Sequence, residues 1–369
     1  MKNKIFKNME WWILISTILL CIVGFVALYS ASQQLDPTIL RKQLIWFMIS
    51  IIIMIITMLI DYEFLAKLSP FFYVIGIISL IAVLFFSRSI NGANSWFNIG
   101  FFSFQPAELA KISVILFSAS VMVKIQERDK QEINVFWKLL IVLAVVMVPV
   151  GLIILQPDYG TAAAYVVATV LMLFVSGVDK KYIIISLLAV IIAAPLVYNF
   201  VLPDHAKKRI DVFLHPESDP KGSGYNVLQS KIAIGAGELT GMGILNGNQT
   251  QMGYLSPKTT DFIYSVIGEE MGFVVAGAVV LIYVTLITRA LYVAKTAKDD
   301  LGSYIAAGIS GIFLFHMLEN IGMTMGVLPI TGVPLPFVSY GGSSLMTNCI
   351  LIGLLLSISG RRNQILFSK

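Results

Sequence analysis

Residues 11–29 read WWILISTILLCIVGFVALY, an uncharged apolar run long enough to cross the hydrocarbon core of a bilayer as one helix. It reads as a retained span rather than a cleaved leader, because no small-residue cleavage site precedes the polar Gln33-Gln34 turn. Nine similar stretches follow, at 44–60, 71–86, 107–123, 139–155, 161–176, 182–202, 262–286, 303–327 and 344–358. Composition agrees with them. Of 369 residues, 57% are hydrophobic and 13% charged, and the mean hydropathy is +0.84. Soluble domains run at about 45–50% apolar and about 25% charged, which excludes a soluble enzyme, a disordered chain or a disulfide scaffold. Cys21 and Cys349 sit inside apolar runs as small core residues. His205, His215 and His316 lack the spacing of a zinc centre. The expected fold is an all-α integral membrane protein of about ten transmembrane helices, one domain over residues 1–369.

Ten spans put both chain ends on one side, and Lys/Arg placement selects it. With the N-terminus inside, sixteen Lys and Arg fall in inner segments, including Lys2, Lys4, Lys7, Lys124, Arg128, Arg289, Arg361, Arg362 and Lys369. The short outer loops hold only Arg41, Lys42 and Arg88. Both termini are therefore expected in the cytoplasm. The long segment 203–260, between spans seven and eight, is expected to face outward with little regular structure. Within it, residues 224–238 set Val227, Leu228, Ile232 and Ile234 near one side of a short helix, which fits either the membrane interface or a plain surface loop.

Ionisable groups inside spans are expensive, so each needs a reason. Glu108 and Lys111 share a face of the fourth span, either as a satisfied ion pair or as cavity-lining groups. Pro106 opens that helix and sets Glu108 in its first turn. Asp261 closes the long outer segment at the start of the eighth span. From the residues alone it reads first as a helix N-cap, and the same position also sets a carboxylate at the mouth of the bundle. Glu269 and Glu270 follow beside Gly268-x-x-x-Gly272, a spacing that permits close helix packing. Glu319 lies in the ninth span, with His316 one turn before it. The run VLPITGVPLPFVSYGGSS, residues 327–344, carries three prolines and cannot be one regular helix. Irregular backbone at that depth must be buried in protein or line a cavity. Its end, Gly341-Gly342-Ser343-Ser344, is a capping turn or a backbone cradle for a diphosphate. No Walker loop or dinucleotide fingerprint is present, so any outward-facing transferase needs a pre-activated, lipid-linked donor.

These segments together resemble the SEDS family (shape, elongation, division and sporulation). The matching pieces are Asn91-Gly92-Ala93, Phe104-Gln105-Pro106-Ala107-Glu108-Leu109-Ala110-Lys111, Gln156-Pro157-Asp158-Tyr159-Gly160-Thr161, Gly224-Tyr225-Asn226, Thr260-Asp261-Phe262-Ile263 through Gly268-Glu269-Glu270, and the Pro-rich run to Ser344. They keep the family's order across nearly the whole chain. The short N-terminus, residues 225–237 and Asn320-Ile321-Gly322-Met323 are more similar to the elongation branch than to the division branch. One departure is Ser256-Pro257-Lys258, where many members carry Leu-Pro-Glu.

The resemblance implies a peptidoglycan glycosyltransferase of the bacterial cytoplasmic membrane, polymerising lipid II on its outer face during elongation. It implies partners: a class B penicillin-binding protein as transpeptidase and other elongation machinery, with no nucleic acid. It maps the essential acid onto Asp261 and the cavity partners onto Glu108 and Lys111. Asp158, Glu269, Glu270, Ser343 and Ser344 are candidate substrate-binding or supporting residues. Lys111, or a divalent cation such as Mg or Mn, would stabilise the departing diphosphate. A lipid II flippase, a non-catalytic scaffold, and a division or sporulation paralogue are the alternatives.

Overall fold

The computed structural model describes residues 7–33, 35–36, 38–87, 95–99, 102–220 and 222–362. Lys2, Lys4, Gln34, Arg88, Asn91-Gly92-Ala93 and Lys369 lie outside the described residues. Within lipid, a crossing segment satisfies its own backbone only as a helix, and each of the ten apolar stretches lies on one. In chain order these are α1 (Trp11–Ser32), α2 (Thr38–Leu59), α3 (Tyr62–Phe86), α4 (Pro106–Ile125), α5 (Phe136–Ile154), α6 (Tyr159–Val175) and α7 (Lys180–Leu196). Two helices of the segment 203–260 follow, α8 (Asp204–Leu214) and α9 (Ser223–Ala236), and then α10 (Ile263–Thr296), α11 (Asp300–Thr324) and α12 (Gly342–Arg361). Among the described residues, α1, α2, α3, α5, α10, α11 and α12 are long and apolar enough to cross a membrane. α11 and α12 are buried along most of their length and form the centre. α2 and α3 turn large apolar side chains such as Ile52, Phe71 and Phe85 outward, as a lipid-facing surface requires.

The all-α expectation needs one correction. Strands β1 (Phe97–Ile99) and β2 (Phe102–Phe104) pair antiparallel, Phe97 opposite Phe104, just before α4. The segment 203–260 is also more ordered than its glycine content suggested. Besides α8 and α9 it holds short helical turns at Pro216–Ser218 and Asn248–Gln251. α9 sits where the interfacial helix was expected, but its buried face is Gly224, Val227, Ser230 and Ala233, while Leu228 and Ile232 are exposed. Small residues face inward because the helix packs tightly against α10 and α11. There the Ser230 hydroxyl meets Ser265 Oγ at 2.6 Å and donates to the Thr324 carbonyl at 2.6 Å.

Gly268 does permit close helix packing, a Cβ there lying 3.0–3.4 Å from Ile234 of α9, whereas Gly272 serves another purpose. α10 breaks at Gly272, whose φ of 73° and ψ of −177° belong to a region open essentially to glycine alone. A break strands backbone groups that must find other partners, and residues 238–243 supply them. Met242 N donates to Glu269 O (2.9 Å) and Gly243 N to Glu270 O (3.0 Å). In return Phe273 N donates to Glu238 O (2.8 Å) and Val274 N to Leu239 O (3.1 Å). The backbone of Thr240 and Gly241 occupies the space a Gly272 side chain would need. Gly272→Ala is therefore expected to lower stability by about 1–3 kcal/mol. Thermal denaturation in detergent should show a lower midpoint, and amide exchange should quicken across 238–243; an unchanged midpoint would refute the role assigned to the break.

Candidate functional site

Between α11 and α12 the chain runs irregularly through its prolines, and surrounding side chains satisfy it. The Tyr283 hydroxyl donates to the Pro336 carbonyl. Asn320 Nδ2 donates to both Val333 O (2.9 Å) and Asp261 O (3.0 Å). Tyr340 N reaches Thr259 O at 2.9 Å, and Ser339 Oγ reaches Thr260 O at 2.7 Å. Gln43 closes the end, donating to Ser339 O (3.4 Å) and accepting from Gly341 N (3.2 Å). Residues 259–261 are thus sewn onto the Pro-rich segment before α10 begins.

Asp261 is not a helix cap. Phe262 is the N-cap of α10, its carbonyl accepting from Ser265 N (3.1 Å) and Val266 N (3.4 Å). That leaves the Asp261 side chain free of a local structural duty. It is partly exposed and faces Gly332, where a Cβ would lie 3.5 Å from its Oδ2. Burial pushes its pKa up to about 6, against the downward pull of the Thr260 hydrogen bond and the Arg209 charge. A carboxylate in that range is suited to accept a proton near neutral pH.

Glu108 and Lys111 form a sealed unit. Lys111 Nζ lies 3.0 Å from each Glu108 carboxylate oxygen, and both side chains are at most 1% exposed. The third contact of the ammonium is His316 Nε2 at 3.4 Å, while His316 Nδ1 meets the Pro334 carbonyl at 3.1 Å. A carbonyl only accepts, so Nδ1 carries the ring proton and Nε2 accepts from Lys111. All three ammonium protons are therefore engaged. No hydrogen bond or ion pair joins this unit to the Asp261 carboxylate among the described residues. The two are linked through the Pro-rich segment, at Pro334 on one side and at Val333 and Asn320 on the other.

The other expected site residues act as supports. Asp158 caps α6, accepting from Thr161 N (3.1 Å) and from Gln105 Nε2 (2.7 Å), which ties the start of α4 to that of α6. Glu269 accepts from Gln249 N (2.6 Å), Thr250 N (2.9 Å) and Thr250 Oγ1 (2.6 Å). Glu270 accepts from Ser30 Oγ (2.7 Å) and Gln251 Nε2 (2.9 Å). Lys258, at the departure noted above, is buried beside these two acids and donates to Thr250 O at 2.6 Å. Burial lowers its pKa, and Glu270 and Glu269 oppose that shift. Ser343 and Ser344 are buried near the start of α12, where the Trp46 indole covers Gly342, and Ser344 Oγ accepts from Asn348 (3.2 Å). Glu319 accepts from Thr331 Oγ1 at 2.7 Å.

Sequence reasoning missed the His316 link, the double reach of Asn320 and the approach of Arg209 to Asp261. Each joins residues remote along the chain, with no spacing signature. Among the described residues no three His, Cys, Asp or Glu side chains converge as a metal site, and no second acid faces Asp261. Among the described residues, Asp261 is thus the single carboxylate that a divalent cation would meet here.

A sequence model of the cell cycle protein family that groups FtsW, RodA and SpoVE matches residues 10–364. The chain is 36% identical over 350 residues to the peptidoglycan glycosyltransferase MrdB of Escherichia coli K12, covering 94% of this chain and 93% of that one. It superposes with a TM-score of 0.82, at 28% identity, on a chain from a peptidoglycan synthase complex described as coordinating polymerization and crosslinking; the match covers 96% of this chain and 99% of that one. The crystal structure of the rod shape determining protein RodA of Thermus thermophilus matches with a TM-score of 0.72 at 25% identity, over 96% of this chain and 98% of that one.

The Glu108–Lys111 geometry makes a stability prediction. Removing one member of a buried pair leaves an unpaired charge, at about 3–5 kcal/mol. Lys111→Met and Glu108→Leu should each lower the melting midpoint in detergent sharply. The double variant should lose less than either alone, and additive losses would contradict the pairing.

Proposed function

The chain belongs to the cell cycle protein family of FtsW, RodA and SpoVE, and from that premise we propose that it is a peptidoglycan glycosyltransferase that polymerises lipid II. The observation carrying this reading is Asp261, a carboxylate with no capping duty, partly open and poised to titrate near pH 6. The finer topology belongs to the proposal. Ten spans form a single domain, both termini face the cytoplasm, and the face holding Asp261 and residues 203–260 looks outward from the cytoplasmic membrane. Similarity to rod-shape relatives supports a role in elongation.

In the reaction, the 4-hydroxyl of the acceptor sugar attacks the anomeric carbon of the donor. Asp261 takes the hydroxyl proton as the new C–O bond forms. The bond from the anomeric carbon to phosphate breaks, and its electron pair leaves on the lipid diphosphate. In-line displacement at an α-linked donor yields a β-linked glycan. Lys111 supports this step rather than touching the phosphate, since its protons are committed to Glu108 and His316. Through Pro334 that unit braces the segment whose Gly332 faces Asp261. A divalent cation, Mg or Mn, would enter with the diphosphate oxygens, and no step above depends on it.

The partner in this proposal is a class B penicillin-binding protein, docked by its membrane helix in the apolar groove between α10 and α11. Tyr264, Phe273, Val274, Gly277, Leu281 and Ile321 line that groove, whose volume is about 650 Å³. It flanks the break at Gly272, so an occupant would press on α10, the helix that follows Asp261.

Purified protein should polymerise lipid II, and Asp261→Asn should abolish polymerisation with an unchanged melting midpoint. Because the base form is the carboxylate, turnover should fall as pH drops through about 6. Normal turnover by the Asn variant would sink the assignment. For the partner, Gly277→Leu is informative, as nothing lies within 4 Å of a Cβ there. It should fold normally yet weaken co-purification of the penicillin-binding protein at least ~tenfold, by filling the groove. Undiminished association would place the partner elsewhere.

A further inference from the structure

With Lys111 sealed, a cation for the leaving group has to come from elsewhere, and helix α8 carries a candidate. Its inner face includes the buried Ala206 and Val212. Val212 and Phe213 share a crevice with Val227, Lys231, Leu328, Pro329 and Ile330, so α8 rests on the first part of the Pro-rich segment, and the end of the Lys231 side chain lies against Gly326, six residues before Gly332. Arg209 lies one turn before Val212 and Phe213, on the same helical face. Two residues beyond Ile330 comes Gly332, which has a φ of 78° and faces the Asp261 carboxylate without a side chain between them. The packing of α8 thus sets Arg209 on the side of this segment that leads to Gly332 and the Asp261 carboxylate, and its charge pulls the pKa of that carboxylate down.

The neighbouring lysines are committed elsewhere. Lys207 Nζ donates to Asn199 O at 3.3 Å and lies over the Tyr198 ring. Lys208 pairs with Asp219 at 3.3 Å. Arg209 is partly exposed and, among the described residues, has no hydrogen bond or ion pair of its own. Its five N–H groups form a planar fork matched to two phosphate oxygens. α8 is also amphipathic, with a polar face of Asp204, Lys207, Lys208 and Asp211. Such a helix lies at the level of the membrane interface, which is the level a diphosphate holds between an isoprenoid in the bilayer and sugars outside it.

We propose that Arg209 is a substrate-binding residue, holding the diphosphate of the lipid-linked donor beside Asp261. This deepens the glycosyltransferase reading and rests on it. The guanidinium grips the leaving group where negative charge accumulates as the glycosidic bond to phosphate breaks.

The test is equilibrium binding of undecaprenyl diphosphate and undecaprenyl monophosphate to the full-length protein in neutral-lipid nanodiscs, alongside lipid II polymerisation. Wild-type protein should prefer the diphosphate by about tenfold or more, and Arg209→Gln should lose about tenfold in diphosphate affinity with an unchanged melting midpoint. Arg209→Lys, a point charge without the fork, should fall between them. The KM for lipid II should rise in step, with a smaller change in kcat than Asp261→Asn produces. Equal diphosphate affinity in wild type and Arg209→Gln, or no wild-type preference for the diphosphate, overturns the inference. Should Arg209→Gln fail to fold, Arg209→Lys decides, and wild-type affinity in that variant overturns it. Binding does not require glycosyl transfer. If wild-type protein binds as described but polymerises nothing, the glycosyltransferase reading fails and the diphosphate site stands.

Discussion

An irregular backbone buried inside a helix bundle must find its hydrogen-bond partners within the protein. The Pro-rich segment between α11 and α12 imposes that demand, and most of the polar groups at the site answer it. His316 and Asn320 from α11, Tyr283 from α10, Gln43 from α2 and the backbone of Thr259 and Thr260 all attach to it. The bonds that satisfy the segment also fix the residue before Phe262, so Asp261 is positioned by the satisfaction of another strand's backbone.

The same economy governs the break in α10. A helix interrupted in a membrane protein is tolerated where neighbouring chain repairs it, and residues 238–243 do so bond for bond. Glu269 and Glu270, next to the break, turn their carboxylates onto the following segment and hold residues 249–251. Lys258 then ties that segment to the approach to Asp261. The two glutamates are costly charges to bury, and their hydrogen bonds organise residues 249–251 around the start of α10.

Charge at the site divides by accessibility. Lys111 is central by sequence, yet its protons are spent on Glu108 and His316, and it braces the Pro-rich segment from the α4 side. Arg209 belongs to a run of three basic residues that looks like surface decoration, yet it is the member whose charge reaches Asp261. An ion's usefulness to a substrate depends on which of its donors remain unpaired, and that is a property of packing.

Much of the architecture was legible without coordinates, because lipid tolerates so few structures. Runs of apolar residues had to be helices, three prolines had to break one, and Pro106 had to open another. These readings depend on local chemistry and survive intact. Asp261, Glu108 and Lys111 could be nominated for the same reason, as charges where charges are expensive. What the sequence could not supply was pairing across distance. The inward face of α9 runs through Val227, Ser230 and Ala233 rather than Leu228 and Ile232, because a close helix neighbour favours small residues over large ones. Gly272 breaks its helix rather than packing against another, because the chain of residues 238–243 approaches there. The Asp261 carboxylate, hydrogen-bonded by Thr260, is not a cap because Phe262 takes the capping position. Periodicity and composition record what each segment prefers alone, whereas hydrogen-bond partners dozens or hundreds of residues apart are chosen only when the helices assemble.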